Sequence, residues 1–202
     1  MYYKMRYDMD SIDDLLEKSE SYIYAEQDNL SEVEFEGIKK GFFNTLILKK
    51  LSFQHWPNVQ FYYSSKAATK ESDLLLNASR WPLIHNRVQK AFKDAKVEGV
   101  SYYPIELIDV VTGETNNHYS LLYVGNFIDA IDMIRSKYVY NEKYNMYTFV
   151  PNKTFLELSK CMQYDIFRCD KSPSSIFVSD KIVDIINRNG FTGFIFVPQK
   201  ES

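Results

Sequence analysis

Apolar residues recur at helical spacing twice in this chain, and the two occurrences align without a gap. Ile84, Val88, Ala91 and Phe92 stand at i, i+4, i+7 and i+8, one face of a helix, and Val178, Ile182, Ile185 and Ile186 repeat the spacing. The alignment extends over residues 83–104 and 177–198. Leu83, Val97, Val100, Tyr102 and Tyr103 fall opposite Phe177, Phe191, Phe194, Phe196 and Val197, with Gly99 over Gly193 and Pro104 over Pro198. What repeats is packing, since no candidate catalytic group is shared. Asn189-Gly190-Phe191 signals a crisp end to the second helix, because glycine accepts the left-handed cap conformation at little cost. Lys96 replaces that glycine in the first copy, which predicts a looser helix end there. At the other end Ser179 is a better capping residue than His85 opposite it, so Asn86 is expected to cap the first helix.

Strand periodicity fills much of the remainder. Residues 2–7 read as a strand, followed by a helix capped by Asp10 or Ser11 and running to about residue 21. Gly41 opens an apolar stretch over 42–48, and a turn at Trp56-Pro57-Asn58 leads into a strand at 59–63. Residues 64–79 form a polar connection with a short apolar insert at 74–76. The strands at 59–63 and 165–169 each precede a helix, giving two β-α-β units with unequal connections. Between them, 105–111 and 119–124 flank Thr112-Gly113-Glu114 as a hairpin, and 138–140 pairs with 147–150 across 141–145, closed by Pro151. The expected fold class is α/β (mixed α+β), a mixed sheet with two repeated β-α-β-like units and intervening β-hairpins. Residues 1–58 form an acidic N-terminal strand and helix region packed on a core at 59–202, in one compact domain of two halves.

Composition narrows the picture. In a chain of 202 residues, sixteen Tyr and fourteen Phe exceed what a disordered segment carries, and Tyr in such numbers suits amphipathic surfaces and interfaces. The N-terminus lacks the basic-then-apolar layout of a signal peptide, and no apolar run approaches a membrane span, so a soluble cytoplasmic protein is expected. Two cysteines, Cys161 and Cys169, read as reduced thiols. The formal charge is −3, yet residues 8–36 hold eleven acidic side chains against Lys18, leaving the rest of the chain net positive. Ile12, Leu15, Leu16, Val33 and Phe35 anchor that segment, so it is a charged face and not a free tail.

Catalytic equipment is not evident. His55, His85 and His118 lie in separate segments with no helical metal spacing, and no glycine-rich phosphate loop is present. Asp129, Asp132 and Arg135, like Asp170 and Lys171 beside Arg168, read as structural ion pairs. No catalytic residue, metal ligand or cofactor is assigned. Nucleic acid is not an expected partner, given the net acidity and the lack of a dense basic stripe. The sequence carries no signal for or against self-association.

A set of motifs carries a family likeness. Arg80-Trp81-Pro82-Leu83-Ile84 with Gly99-Val100, then Asp165-Ile166-Phe167-Arg168, Ile176-Phe177-Val178-Ser179 and Gly190-Phe191-Thr192-Gly193-Phe194, resemble the immunity proteins of bacterial polymorphic toxin systems. The match is to the immunity domain family first catalogued from a myxobacterial locus. It runs from about residue 59 to 198 and is weaker over the first fifty residues. The resemblance implies a cytoplasmic protein, encoded beside a toxin gene, that binds the cognate toxin and protects the producing cell.

Stoichiometric inhibition by protein contact is therefore the expected function. Asp8, Asp10, Asp13, Asp14, Glu32, Glu34 and Glu36 are the expected toxin-binding residues, because a concentrated acidic field steers a basic partner. The rival readings are an enzyme that reverses a toxin-made modification and a scaffold or regulatory binding module unrelated to toxins. Partner specificity is expected in segments without a counterpart in the repeat, notably 8–36 and 64–79.

Overall fold

A computed structural model describes residues 1–8, 22–36, 38 and 53–201. The predicted helix ending near residue 21 and the apolar stretch at 42–48 lie outside them. The described chain is mixed α+β and mostly strand. In chain order the strands are β1 (Tyr2–Tyr7), β2 (Tyr24–Ala25), β3 (Gln27–Asp28), β4 (Gln60–Tyr63), β5 (Leu74–Asn77) and β6 (Leu83–His85). Helix α1 (Asn86–Asp94) follows, then β7 (Val100–Pro104), β8 (Glu106–Asp109), β9 (Thr115–Asn116), β10 (Tyr119–Val124) and β11 (Phe127–Ile128). The last third contains β12 (Tyr138–Asn141), β13 (Met146–Phe149), β14 (Phe155–Leu156) and the one-turn helix α2 (Leu158–Cys161). It ends with β15 (Ile166–Cys169), β16 (Ser172–Ser179), helix α3 (Asp180–Arg188), β17 (Phe194–Pro198) and β18 (Lys200–Glu201).

Two five-stranded sheets share one topology. Their orders are β2-β5-β6-β10-β7 and β11-β15-β16-β1-β17. In each, the first pair is parallel and the other pairs are antiparallel. The registers also correspond. Tyr119 lies opposite His85 and Ser120 opposite Pro104, as Tyr2 lies opposite Ser179 and Tyr3 opposite Pro198. Along the chain, then, β1, β2, β5, β6, α1, β7 are followed by the same series as β10, β11, β15, β16, α3, β17. The leading strand of each series is inserted into the other's sheet: β10 lies between β6 and β7, and β1 between β16 and β17.

This arrangement corrects the expected β-α-β units. Residues 60–63 do not lead into α1; β4 pairs with β3 and β8 in a separate four-stranded sheet. The strand before α1 is β6, and the one before α3 is β16, with β15 its antiparallel neighbour. Ile84 and Val178 therefore belong to strands, and the helical faces reduce to Val88 with Phe92 and Ile182 with Ile186, all buried. The apolar insert at 74–76 is β5, an interior strand, so the end of the 64–79 connection, from Ser72 to Asn77, enters the core while most of 66–71 stays exposed. The hairpin around Gly113 joins β8 to the short β9, while β10 leaves for the first sheet. The second hairpin, β12 with β13, forms as expected.

Burial on both faces explains why the strands show so little alternation. All six residues of β10 are buried. One core joins the facing sides of the two sheets and the two helices through Leu74, Ile84, Val88, Phe92 and Leu122 from one sheet and its helix, and Ile166, Val178, Ile182, Ile186 and Met5 from the other. Intervening residues enter two outer cores. Leu75, Leu83, Leu121 and Trp81 pack with Phe61 and Leu107, whereas Tyr2, Phe167 and Phe177 pack with Leu156 and Cys161. The buried hydroxyls of Tyr119 and Tyr2 donate to the carbonyls of Ser72 (2.8 Å) and Cys161 (2.7 Å).

Helix ends also depart from expectation. Lys96 adopts φ +53°, and Lys96 N to Lys93 O (3.0 Å) with Val97 N to Phe92 O (2.9 Å) closes α1. Gly190 N to Asn187 O and Phe191 N to Ile186 O, both 3.1 Å, close α3 in the same manner. The first helix ends as crisply as the second, at a cost of about 1 kcal/mol for a side chain in the left-handed region. At the start of α1 the cap is His85, whose Nδ1 accepts from Arg87 N at 3.2 Å, and not Asn86. Ser179 makes no side-chain cap bond; its Oγ contacts Asp165 Oδ1 at 3.2 Å.

The seam between the sheets is tight at Gly193, where φ is +87° and an added Cβ would lie 2.6 Å from the Leu74 carbonyl oxygen. Gly113 has φ +76° with open space around it. Gly113→Ala should cost about 1 kcal/mol for backbone strain alone, and Gly193→Ala at least about 2 kcal/mol more because backbone must move. Urea unfolding midpoints compare the two; equal losses would refute the seam contact.

Candidate functional site

The described part of the predicted acidic site divides in two. Asp8 follows β1, half-buried, with its N donating to Gly193 O at 3.0 Å. Glu32, Glu34 and Glu36 occupy the loop after β3. That loop is shaped by Leu30 N donating to Asp28 Oδ1 (3.1 Å) and by Glu32 N donating to Asn29 O (2.9 Å). Buried Leu30, Phe35 and Ile38 pin it to the core, with Phe35 against Trp56 and Trp81, so the three carboxylates between them face solvent. Glu36 accepts from Gln54 N at 3.3 Å. Among the described residues none of the three forms an ion pair. Asp10, Asp13 and Asp14 lie outside the described residues.

A second surface is apolar. The β12–β13 hairpin is a two-stranded sheet of its own, and its stretch of chain holds a concentration of exposed large side chains: Ile134, Val139, Tyr144 and Met146 are 97%, 66%, 63% and 55% exposed. Cross-strand aromatics stiffen it, with Tyr138 edge-on to Tyr147 at 5.3 Å and Tyr140 on Tyr147 at 4.7 Å. Tyr140 OH donates to Asn145 Oδ1 at 2.6 Å, and Asn145 takes the left-handed conformation that turns the chain. The pairing of 138–140 with 147–150 is legible in the sequence, but only the fold shows that no other strand among the described residues pairs with the hairpin.

The structure also gathers a cluster that local spacing could not reveal. Ligand atoms of Glu71, His85 and His118 lie within 4.8 Å of one another. His85 Nε2 is 3.5 Å from Glu71 Oε2, and Asn116 ties the group together by donating to Glu71 Oε1 (2.6 Å) and accepting from His118 N (2.8 Å). These donor types suit a divalent transition metal. Yet His85 Nδ1 already serves as the acceptor that caps α1, so the neutral ring carries its proton on Nε2. Metal at Nε2 would put a proton on Nδ1 and forfeit the cap. The three residues come from three segments, which is why no motif announced them.

Several other charged groups form structural ion pairs. A groove between α1 and α3 is lined by Arg87, Lys90, Asp94, Lys181, Asp184 and Arg188, whose charges are internally paired. Arg87 grips the fully buried Asp73 with two nitrogens, and Lys181 holds Asp165 at 2.6 Å, so an ion pair repeats as well as the packing. Lys171 pairs with Asp129, and Arg135 lies 3.7 Å from Asp132. Both cysteines are buried and free; burial pushes the Cys161 thiol up to about 12 and that of Cys169 upward too, which suppresses nucleophilic thiolate. Among the described residues no helix is long and apolar enough to cross a membrane.

Residues 2–201 match the model of the immunity protein family (Imm11), which extends the likeness across the first fifty residues as well. No curated protein matches the chain.

The histidine cap makes stability depend on pH. Burial, opposed in part by Glu71, lowers the His85 pKa from its ordinary value of 6.5. The contribution of the neutral ring is therefore complete above about pH 6.5 and is lost as pH falls below it. His85→Asn keeps an acceptor at the cap and should flatten that part of the stability profile between about pH 7.5 and 5.5, whereas His85→Ala should cost about 1 kcal/mol at neutral pH. Identical pH profiles for the wild type and His85→Asn, by thermal unfolding, would remove His85 from the account.

Proposed function

The chain belongs to the immunity protein family Imm11, and from that membership we propose that it neutralises a cognate bacterial toxin by stoichiometric contact. The toxin is the product of an adjacent gene, the encounter takes place in the cytoplasm, and the inhibitor contributes binding and no chemistry of its own. The observation that carries this reading is the exposed apolar hairpin. Side chains such as Val139, Tyr144 and Met146 hold apolar surface against water, an unfavourable exposure that a covering partner relieves.

Electrostatics supports the same reading. Glu32, Glu34 and Glu36 project from a pinned loop and form no ion pair among the described residues, and Asp8, Asp10, Asp13 and Asp14 add to the acidic count of that part of the chain. A field of this kind accelerates the approach of a basic toxin, whereas the hairpin's apolar side chains hold the complex once formed. The two surfaces thus act on different rate constants.

Co-expression with the neighbouring toxin should rescue growth, and titration should end at a fixed stoichiometric ratio; failure of both would sink the proposal. Joint reversal of Glu32, Glu34 and Glu36 to Lys should lower the association rate and its salt dependence. Tyr144→Ala with Met146→Ala should instead raise the dissociation rate by about tenfold or more. Surface plasmon resonance separates the two effects.

A further inference from the structure

Arg168 is a buried charge without a carboxylate. It lies in β15 with 2% exposure; its Nη1 donates to Pro173 O at 2.6 Å, and its Nε has no partner. The ionisable groups facing it are the phenols of Tyr7 and Tyr123, and burial lowers its pKa to about 10. Arginine is rarely buried unless paired, because removing a guanidinium from water costs far more than one carbonyl bond returns. Packing does not demand it either. The first position of β15 that pairs with the parallel edge strand is Arg168 beside Phe127, and its counterpart in the first sheet is Leu76 beside Tyr24.

Arg168 borders a small cavity of about 70 Å³, together with Arg6, Tyr7, Arg80 and Ser174. No acidic side chain lines it among the described residues. Arg80 reaches it from a strained backbone: φ is +53°, the left-handed region, in a turn held by Arg80 N to Asn77 O (3.0 Å) and by Asn77 Oδ1 accepting from Trp81 N (2.9 Å). Glycine or asparagine would relieve that strain, so the arginine is retained at a cost to stability. The motifs Arg80-Trp81-Pro82 and Ile166-Phe167-Arg168, distant in the chain, meet here, where Tyr7 OH also donates to the Trp81 carbonyl.

We propose that Arg6, Arg80 and Arg168 form a binding site for a phosphate group at the seam of the two sheets, with Arg168 as its buried anchor. Three guanidinium groups around one concavity favour a compact dianion with oxygens on several sides, and planar N–H forks match phosphate geometry. A nucleoside does not fit in about 70 Å³, but Arg6 and Arg80 are exposed, so an ester substituent on the phosphate can extend into solvent. The occupant is therefore a free phosphate ion or a phosphomonoester.

Thermal unfolding and isothermal titration of the full chain with inorganic phosphate, with adenosine 5′-monophosphate and with sodium chloride at matched ionic strength test the site. Phosphate should raise the melting temperature saturably while chloride does not; tighter binding of inorganic phosphate identifies the free ion, and tighter binding of the monophosphate identifies the ester. Arg168→Met should weaken binding at least about tenfold, yet leave the phosphate-free protein as stable as the wild type or more so. Arg80→Gly should also weaken binding while raising the phosphate-free melting temperature, and Arg6→Gln should weaken binding without changing stability. The latter two carry the test if Arg168→Met fails to fold. Absence of phosphate-specific stabilisation in the wild type, or equal binding by the variants, overturns the proposal.

Discussion

Each five-stranded sheet is completed by a strand from the other series. β10 supplies the bonds that β6 and β7 require, and β1 supplies those of β16 and β17. Without these insertions, both sheets would present unpaired strand edges next to an apolar core, at a cost no local interaction could offset. The two series therefore fold as one object although their strands are ordered alike. The seam inherits this constraint. Asp73, fully buried, accepts from Thr192 N at 2.8 Å while Arg87 neutralises it, and Leu74 N donates to Thr192 O at 3.1 Å.

Because the inner strands of the shared topology, such as β10 and β15, are buried on both faces, they leave little room for partner recognition. Variation is confined to the chain between equivalent elements. The acidic loop falls between β2 and β5, and the aromatic hairpin between β11 and β15, the same place in the two series. An insertion after a parallel edge strand disturbs neither the central core nor the exchanged strands. Membership of an immunity family and the location of these surfaces are thus physically compatible: a conserved topology can carry replaceable contact loops. The arginine cavity differs in kind, since it sits at the seam and uses residues of the scaffold itself.

Some of this was legible in the residues. The gapless correspondence of 83–104 with 177–198 marked two helices and their following strands, and both helices and both strands form. Hairpin signals at Tyr138 and Tyr147 were sound because turn, alternation and pairing are all local. The fold departs from the local pattern where a neighbour in space outweighs a neighbour in sequence. Ile84 fits a helical stripe, yet Leu83–His85 is drawn into a strand by β5 and β10 on its two sides. Leu74–Asn77, an apolar insert in a polar connection, is a strand for the same reason, with β2 and β6 on its two sides. Serine is the better capping residue in isolation, but Asp165 engages Ser179, leaving the histidine as the side chain that caps its helix.

Sequence by itself determined the repeat, the apolar faces, the acidic segment, the lack of an evident local catalytic motif and the family. The repeat, the faces and the acidic segment depend on periodicity and composition and the family likeness on short motifs, all of them properties of short windows. Tertiary structure alone decided which strands pair, that the leading strands are exchanged, that Glu71, His85 and His118 converge, and that Arg6, Arg80 and Arg168 line one cavity. The reason is physical. Hydrogen bonds between strands and contacts between charges depend on distance in space, and in this chain the exchanged strands bring the decisive partners together: β10 sets His118 beside His85, and β1 carries Arg6 to the cavity of Arg168.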